Sequence, residues 1–180
     1  MSCDMTALFR LAAEPYAARR VFAYLLDGLN AEIGKGLTTA SVYDLSRMRS
    51  RRVFSENVEA YALGGFKPLE RNRYYETVIA SNRHFSTTTI EQIAEVFFDW
   101  EKIRDLGFES NMNLPAIADG RVIGTVNLLG PRGHFTQETV ARALAWQPAV
   151  TAAFLLLNLE DTETATFHPD TARAARPDQA

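Results

Sequence analysis

The stretch that decides the fold is SNMNLPAIADGRVIGTVNLLG, residues 110–130. Two apolar runs flank the pair Asp119-Gly120, and this arrangement is the strongest short-range signal for a β-hairpin. The polar residues within the runs are amides and a threonine, rather than the lysines and glutamates that are usual on a strand facing water. We call this set the polar strip: Asn111, Asn113, Thr125 and Asn127.

The hydrophobic pattern predicts the register of the hairpin. A type I turn at 118–120 with Gly120 as a bulge places Asn113 opposite Thr125 and leaves one face wholly apolar. That apolar face consists of Met112, Leu114, Val126 and Leu128. A two-residue type I′ turn would instead pair Asn113 with Val126 and mix the two faces. The bulged turn is therefore predicted, with the whole polar strip on the other side of the sheet.

A polar strip inside a sheet needs hydrogen-bond partners. One buried polar side chain without a partner costs about 1–3 kcal/mol, and the net stability of a domain is only about 5–15 kcal/mol. The four side chains must therefore bond to one another, to loops, to water or to a ligand. Two interpretations are open: a satisfied polar network between sheet and loops, or the polar floor of a ligand cavity.

The rest of the chain predicts helices at both ends and strands between them. The expected elements are a helix over 15–33, strands over 37–45 and 53–58, a loop over 60–69, helical structure over 70–82, a short strand over 84–86, a helix over 90–99 and, after the hairpin, a helix over 136–158 that Pro148 kinks. This order predicts an α+β fold, with the sheet sandwiched between helical layers.

Two charged clusters are predicted to be solvated rather than functional. Four arginines lie within 46–52, which we expect to be an exposed hairpin tip. Glu91, Glu95 and Asp99 repeat at helical spacing, and without a histidine at ligand spacing they predict a wet helix face rather than a metal site.

Length and composition restrict the class of protein. The chain has 180 residues, a net charge of -3 and a single cysteine, Cys3. These values indicate one domain, argue against a nucleic-acid surface, and exclude an intramolecular disulfide or a cysteine metal cluster. No apolar run approaches the ~20 residues that cross a bilayer, so we expect no membrane association and a cytoplasmic location. The expected organisation is an N-terminal extension (1–14), a domain (15–158) and a disordered tail (159–180).

Several segments together resemble a GAF domain. GRVIGTVNLLG (120–130), HFTQETVARALAWQPAVTAAFLL (134–156) and LGFESNMNLPAIADGRVIG (106–124) are similar to the closing part of that family. GGFKPL (64–69) and TIEQIAEVFFDWEKIRDLG (89–107) are similar to the variable middle of one bacterial branch. The resemblance implies a six-stranded antiparallel sheet, with the first and last helices on one face. On the other face, helices and loops from the middle of the chain would enclose a small-molecule pocket.

The resemblance also implies what would surround the polar strip. It places several aromatic residues over that face as apolar walls above a polar floor, which is the usual composition of a small-molecule site. These residues are Phe54, Tyr61, Phe66, Tyr74, Phe97 and Trp100. Ordinary core packing is the alternative for each of them.

The favoured function is that of a stand-alone sensory or regulatory domain that binds a small molecule without catalysis. The sequence does not identify the ligand or a cofactor. The rival within the same fold is a free methionine sulfoxide reductase, whose cycle needs pocket thiols; Cys3 is the only thiol and precedes the predicted domain. A third reading is a purely structural dimerisation module. A homodimer is expected through apolar faces of the terminal helices: Val21, Leu25, Val150, Phe154 and Leu157.

Overall fold

A computed structural model of the protein describes residues 3–168. Its centre is a six-stranded antiparallel sheet in the order β3-β2-β1-β6-β5-β4. The strands are β1 (Leu37–Asp44), β2 (Arg49–Ser55), β3 (Gly64–Pro68), β4 (Phe85–Thr87), β5 (Ser110–Ala118) and β6 (Arg121–Gly130). The predicted α+β fold is confirmed, and the hairpin of β5 and β6 lies inside the sheet, where both strands are paired on both sides.

Helices from the two ends of the chain cover one face of the sheet. They are α1 (Met5–Ala12), α2 (Ala17–Ile33), α5 (Gln137–Leu144) and α6 (Gln147–Leu157). Their apolar residues form the main core together with the face of the hairpin that carries Met112, Leu114, Val126 and Leu128. We call this side of the sheet the helix face.

The middle of the chain covers the opposite face. It contains a π-helical turn (Tyr75–Ala80), α3 (Ile90–Ala94) and α4 (Trp100–Asp105). A second, smaller apolar cluster lies here, built around Tyr74, Val78 and Phe85. The sheet is therefore sandwiched between two layers, as the element order predicted.

The turn of the central hairpin differs from the prediction. Ala118 pairs with Arg121, and both intervening residues have positive φ, so this is a two-residue turn. The extra residue is Ile123, because Ile117 pairs with Val122 while Ala116 pairs with Gly124. The predicted bulge at Gly120 is wrong. The two-residue turn and the bulge in β6 together shift the pairing of β5 with β6 by two residues from the predicted register. A shift of two residues keeps every side chain on its predicted face of the sheet, so the polar and apolar faces remain separate.

Elements in the middle of the chain also differ from the prediction. Strand β2 begins at Arg49 rather than at 53, and β3 occupies part of the predicted loop. The helix expected over 70–82 is reduced to the π-helical turn, and the helix expected over 90–99 ends at Ala94. Cross-strand pairing of β2 with both neighbours stabilises an arginine-rich strand that local propensity does not favour.

The closing helix is broken, as Pro148 predicted. It forms α5 and α6, bent by 46° relative to each other, with Pro148 in the first turn of α6. Within residues 3–168, each helix taken alone is too short or too polar to cross a membrane. Only α5 and α6 taken together, as a bent pair, have the length and the apolar composition that a membrane span needs.

The segment after α6 packs against the main core within the predicted tail. Ala165 and Phe167 are buried in the main core, and the Phe167 ring stacks on Phe22 of α2 with centroids 4.1 Å apart. The backbone N–H of Phe167 donates to the Val53 carbonyl at 3.0 Å. The expected tail (159–180) thus includes two apolar residues that pack into the main core, and these contacts anchor a segment that is otherwise polar. Residues 169–180 lie outside the described part.

The main core also contains a residue of the N-terminal segment and the apolar residues that were expected to form a dimer interface. Leu8 of α1 is buried there, inside the predicted extension (1–14). The residues expected to form an exposed interface are each at most 2% exposed: Val21, Leu25, Val150, Phe154 and Leu157. These five side chains are therefore not available for an interface, because the sheet and the helices of one molecule already bury them.

Candidate functional site

The polar strip lies together on the face opposite the terminal helices, as predicted. Asn111 and Asn113 are buried on β5, Thr125 is buried on β6, and Asn127 is half-buried beside it. Asn113 is opposite Asn127 rather than opposite Thr125, because the bulge is at Ile123. Polar and apolar residues alternate along β5 and β6, and this alternation was sufficient to predict which face of the sheet the polar strip occupies.

A chain of side-chain hydrogen bonds runs through the strip and extends it at both ends. The Thr87 hydroxyl donates to Asn111 Oδ1 at 2.6 Å, and Asn111 Nδ2 donates to Asn113 Oδ1 at 2.7 Å. Asn113 Nδ2 donates to Asn127 Oδ1 at 2.8 Å, and Asn127 Nδ2 donates to Thr39 Oγ1 at 3.3 Å. The chain crosses β4, β5, β6 and β1, so four strands share one polar network.

The network satisfies the amides but does not exhaust them. An asparagine side chain carries two N–H donors and an oxygen with two lone pairs. In this chain of bonds, each of the three amides uses one donor and one lone pair. The satisfied-network interpretation is thus realised within the described residues, and the same amides keep hydrogen-bonding capacity for water or for a ligand.

Two tyrosines complete the polar surface next to Thr125. The Tyr43 hydroxyl lies 2.8 Å from Thr125 Oγ1 and 2.6 Å from the Tyr74 hydroxyl. Burial raises the pKa of both phenols above the ordinary value, most strongly for Tyr74. Both side chains are therefore neutral hydroxyl groups at physiological pH, able to donate or accept a hydrogen bond.

Sequence reasoning missed three residues of this polar surface: Thr39, Tyr43 and Thr87. The signal for the first two was present, since Thr39, Ser41 and Tyr43 alternate along β1 and each faces the side of Thr125 and Asn127. The signal for Thr87 was absent, because β4 is only three residues long.

The six aromatic residues expected as pocket walls separate into groups. Tyr74 and Phe97 lie on the side of the polar strip, with ring centroids 5.6 Å apart, and both pack with Phe85. Phe54 and Phe66 were assigned wrongly. The Phe54 ring is 4.8 Å from Phe22 on the helix face, and Phe66 is opposite Arg51 on that same face.

The remaining two aromatic residues contact cations. Tyr61 is buried, and its ring centroid lies 4.8 Å from the Arg52 guanidinium and 4.6 Å from Lys102 Nζ. Burial, with the nearby Asp99 carboxylate, raises the pKa of Tyr61 to about 12. Trp100 is half-buried, with the Arg104 guanidinium 5.3 Å from its ring centroid.

Two of the arginines predicted for an exposed hairpin tip are not exposed. Arg51 is 4% exposed on the helix face, and Arg52 is half-buried on the side of the polar strip, opposite Ser41. Burial lowers the pKa of both guanidinium groups from the ordinary value. The Nε atoms of both are buried and lack a hydrogen-bond partner within the described residues. The prediction of a fully solvated tip is wrong because residues 49–52 form a strand, which turns alternate side chains inwards.

The three acidic residues within 91–99 do not come together at one site. Glu91 pairs with Arg132, Glu95 pairs with Arg73, and Asp99 lies near Tyr61. Over residues 3–168, the structure contains no group of three or more histidine, cysteine or acidic residues arranged to hold a metal ion.

Comparison with known proteins identifies relatives by sequence family and by fold. The GAF domain family matches residues 5–145. The fold is similar to that of the GAF domain of a two-component sensor histidine kinase from Bacillus halodurans, with a TM-score of 0.62 and 10% identity over 77% of this chain and 94% of that one. It is also similar to a GAF domain/HD domain protein from Geobacter sulfurreducens, with a TM-score of 0.62 and 13% identity over 84% and 96%.

An enzyme shares the same fold. The type II free methionine-R-sulfoxide reductase from Thermoplasma acidophilum aligns with a TM-score of 0.59 and 11% identity, over 77% of this chain and 92% of that one. No curated protein matches the sequence. At these identities the structural likenesses show the fold alone.

Proposed function

This chain belongs to the GAF domain family, and from that premise we propose that it is a sensory domain that binds a small polar molecule without catalysing a reaction. GAF domains are commonly sensory modules, and the relatives reported above include a sensor kinase domain. The proposed ligand contacts are the polar strip, with Tyr61, Tyr74, Phe97 and Trp100 as walls. Phe54 and Phe66 are no longer part of the proposal.

The observation that carries the proposal is the spare hydrogen-bonding capacity of three connected amides. Asn111, Asn113 and Asn127 are held in one orientation by a continuous chain of bonds. A donor and acceptor array that is fixed before binding loses little entropy when a ligand arrives. Amides of this kind recognise uncharged polar groups such as carbonyl, amide and hydroxyl groups.

The chemistry of the same surface supports binding rather than catalysis. Amide and hydroxyl groups do not ionise near neutral pH, and the pKa values of Tyr43 and Tyr74, next to the polar strip, are raised above their ordinary value. Cys3 packs against the main core, on the side of the terminal helices. Burial raises the pKa of its thiol, which is the opposite of what a thiolate nucleophile needs.

Native mass spectrometry of the purified protein, compared with its denatured mass, tests the proposal. We expect an added small-molecule mass in the native spectrum that disappears on denaturation. We expect Asn113→Ala to lose this mass and Gln137→Ala, at an exposed position at the start of α5, to keep it. Equal retention by both variants would contradict the assigned site.

A homodimer remains a proposal, and it needs different residues from those first expected. The exposed apolar side chains near the terminal helices include Phe9 (66% exposed), Leu155 (48%) and Leu159 (82%). Helices α1 and α6 touch each other in the monomer, so these residues belong to neighbouring elements. Light scattering at high micromolar concentration is expected to give a dimer mass that Phe9→Ser reduces and Phe98→Ser does not. A monomer mass for the wild type would refute it.

A further inference from the structure

A cleft lies on the helix face, on the opposite side of the sheet from the polar strip. It encloses about 340 Å³. Its floor is a row of three side chains on neighbouring strands: Phe66 on β3, Arg51 on β2 and Val42 on β1. Its far wall is the end of α6 and the segment that follows, residues 157–165. A volume of this size falls in the range of small-molecule sites, which is about 300–1,000 Å³.

The cleft contains a buried positive charge whose bonding is incomplete. Arg51 is 4% exposed, and its Nη2 donates to the carbonyl oxygens of Thr162 at 2.9 Å and Ala165 at 2.8 Å. Its Nε is buried and has no partner within the described residues. Both acceptors are neutral, whereas a buried charge ordinarily needs an opposite charge in contact with it.

The acidic residues of the cleft are committed to other arginines. Asp44 forms ion pairs with Arg47 at 3.1 Å and Arg49 at 2.9 Å, and Glu163 pairs with Arg49 at 3.2 Å. Glu163 and Asp161 act on Arg51 only through longer-range attraction. Across the described part of the chain, no carboxylate is within ion-pair distance of Arg51. A further anion therefore has a position to occupy.

One part of the cleft lining is an apolar patch, whereas the rest of the lining is polar or charged and includes Asp44, Arg47 and Glu163. Leu45, Ile123 and Leu157 form the patch together with the floor residues Val42 and Phe66. An apolar patch in the same cleft as a buried cation fits a ligand with an apolar body and a single anionic end. The planar guanidinium matches the geometry of a carboxylate better than an ammonium does.

We propose that this cleft binds a small carboxylate with an apolar body, whose oxygen accepts a hydrogen bond from Arg51 Nε. The site is separate from the polar strip, since the sheet lies between them. The ligand would meet the same guanidinium that holds Thr162 and Ala165. Binding is therefore coupled to the position of the segment after α6.

The first test uses the full-length protein and two matched probes, naphthalene carboxylate and the neutral naphthalene carboxamide. Methyl NMR spectra are recorded during titration with each probe up to about 10 mM, a range that detects even millimolar dissociation constants. We expect the carboxylate to shift the methyl signals of Val42, Ile123 and Leu157 and to leave the side-chain amide signals of the polar strip unchanged. Because a hydrogen bond to a charged group is stronger than a neutral one, the carboxamide should bind about tenfold more weakly or worse.

This comparison needs no variant, so it stands even if a substitution at Arg51 unfolds the protein. Equal affinity for both probes, no shift of the three methyl groups, or shifts confined to the polar strip would each overturn the proposal. A negative result for the cleft would not count against the function proposed for the polar strip. Binding to the polar strip is detected through its side-chain amide signals, and binding to the cleft through the methyl signals.

A matched pair of variants gives the second test. Arg51→Met removes the charge and keeps an unbranched apolar stem in place of the arginine stem, and we expect the carboxylate to bind about tenfold more weakly or worse. Arg104→Met, at an exposed arginine of α4, is the control and should bind as the wild type does. Carboxylate affinity that is unchanged in a folded Arg51→Met protein would overturn the proposal.

Discussion

Asn113 lies opposite Asn127 in the central hairpin, and its Nδ2 donates to Asn127 Oδ1 at 2.8 Å. This pair is the middle link of a chain that connects four strands on the face away from the terminal helices. A cross-strand amide pair in a sheet interior fixes two side chains in one orientation and specifies the register of the strands.

Replacing the middle link is expected to destabilise the protein. Asn113→Ala leaves one buried amide without its acceptor and the next without its donor. We expect the free energy of unfolding to fall by about 1–3 kcal/mol for each group left unpaired. Urea unfolding measures it, with Asn158→Ala as the control, which at an exposed site should stay within about 0.5 kcal/mol of the wild type. Equal stability of the two variants would show that the chain of bonds contributes nothing.

Tyr61 predicts a loss of stability at alkaline pH. Its pKa is raised to about 12 in the folded protein, whereas an unfolded chain has the ordinary value near 10. The unfolded state therefore releases its proton first, and stability falls as pH rises from about 10 towards 12. Tyr61→Phe should flatten this part of the profile, measured by urea unfolding at a series of pH values. An unchanged slope in Tyr61→Phe would mean that the pKa of Tyr61 is not raised in the folded protein.

Phe167 anchors the segment that follows α6. Its ring stacks on Phe22 at 4.1 Å and meets the Phe154 ring edge-on at 5.1 Å. Phe167→Ala opens a cavity in the main core, and we expect a cost of about 3–5 kcal/mol in unfolding free energy. Phe98→Ala is the matched control, because Phe98 is 89% exposed. A small effect of Phe167→Ala would support the disorder that composition alone predicted.

Thiol chemistry is expected to play no part in the function. Cys3→Ser should leave ligand retention in native mass spectra unchanged, since Cys3 packs with the terminal helices and burial raises its pKa. Reduction of free methionine sulfoxide, assayed on wild type and variant, supplies the enzymatic comparison. Activity in the wild type that vanishes in Cys3→Ser would overturn the proposal of a binding domain.

The candidate site shows where sequence reasoning reached its limit. Alternation along β5 and β6 was enough to place the polar strip on one face. It was not enough to place Phe54 and Phe66. A register shift between Arg51 and Arg52 leaves Phe66 opposite Arg51, on the helix face. A second register shift lies in the pairing of β1 with β2, between Ala40 and Ser41. It leaves Phe54 opposite Ala40. A bulge changes which face a residue occupies, and it leaves little trace in the order of residue types.

The sequence by itself determined the central hairpin, its two faces, the terminal helices and the break at Pro148, because each depends on short-range periodicity or backbone chemistry. Tertiary structure alone decided the bulge at Ile123, the burial of Arg51 and Arg52, and the docking of Phe167 on Phe22. These features join residues that are far apart in the chain, and their free energy comes from contacts that exist only once the sheet and its two layers have assembled.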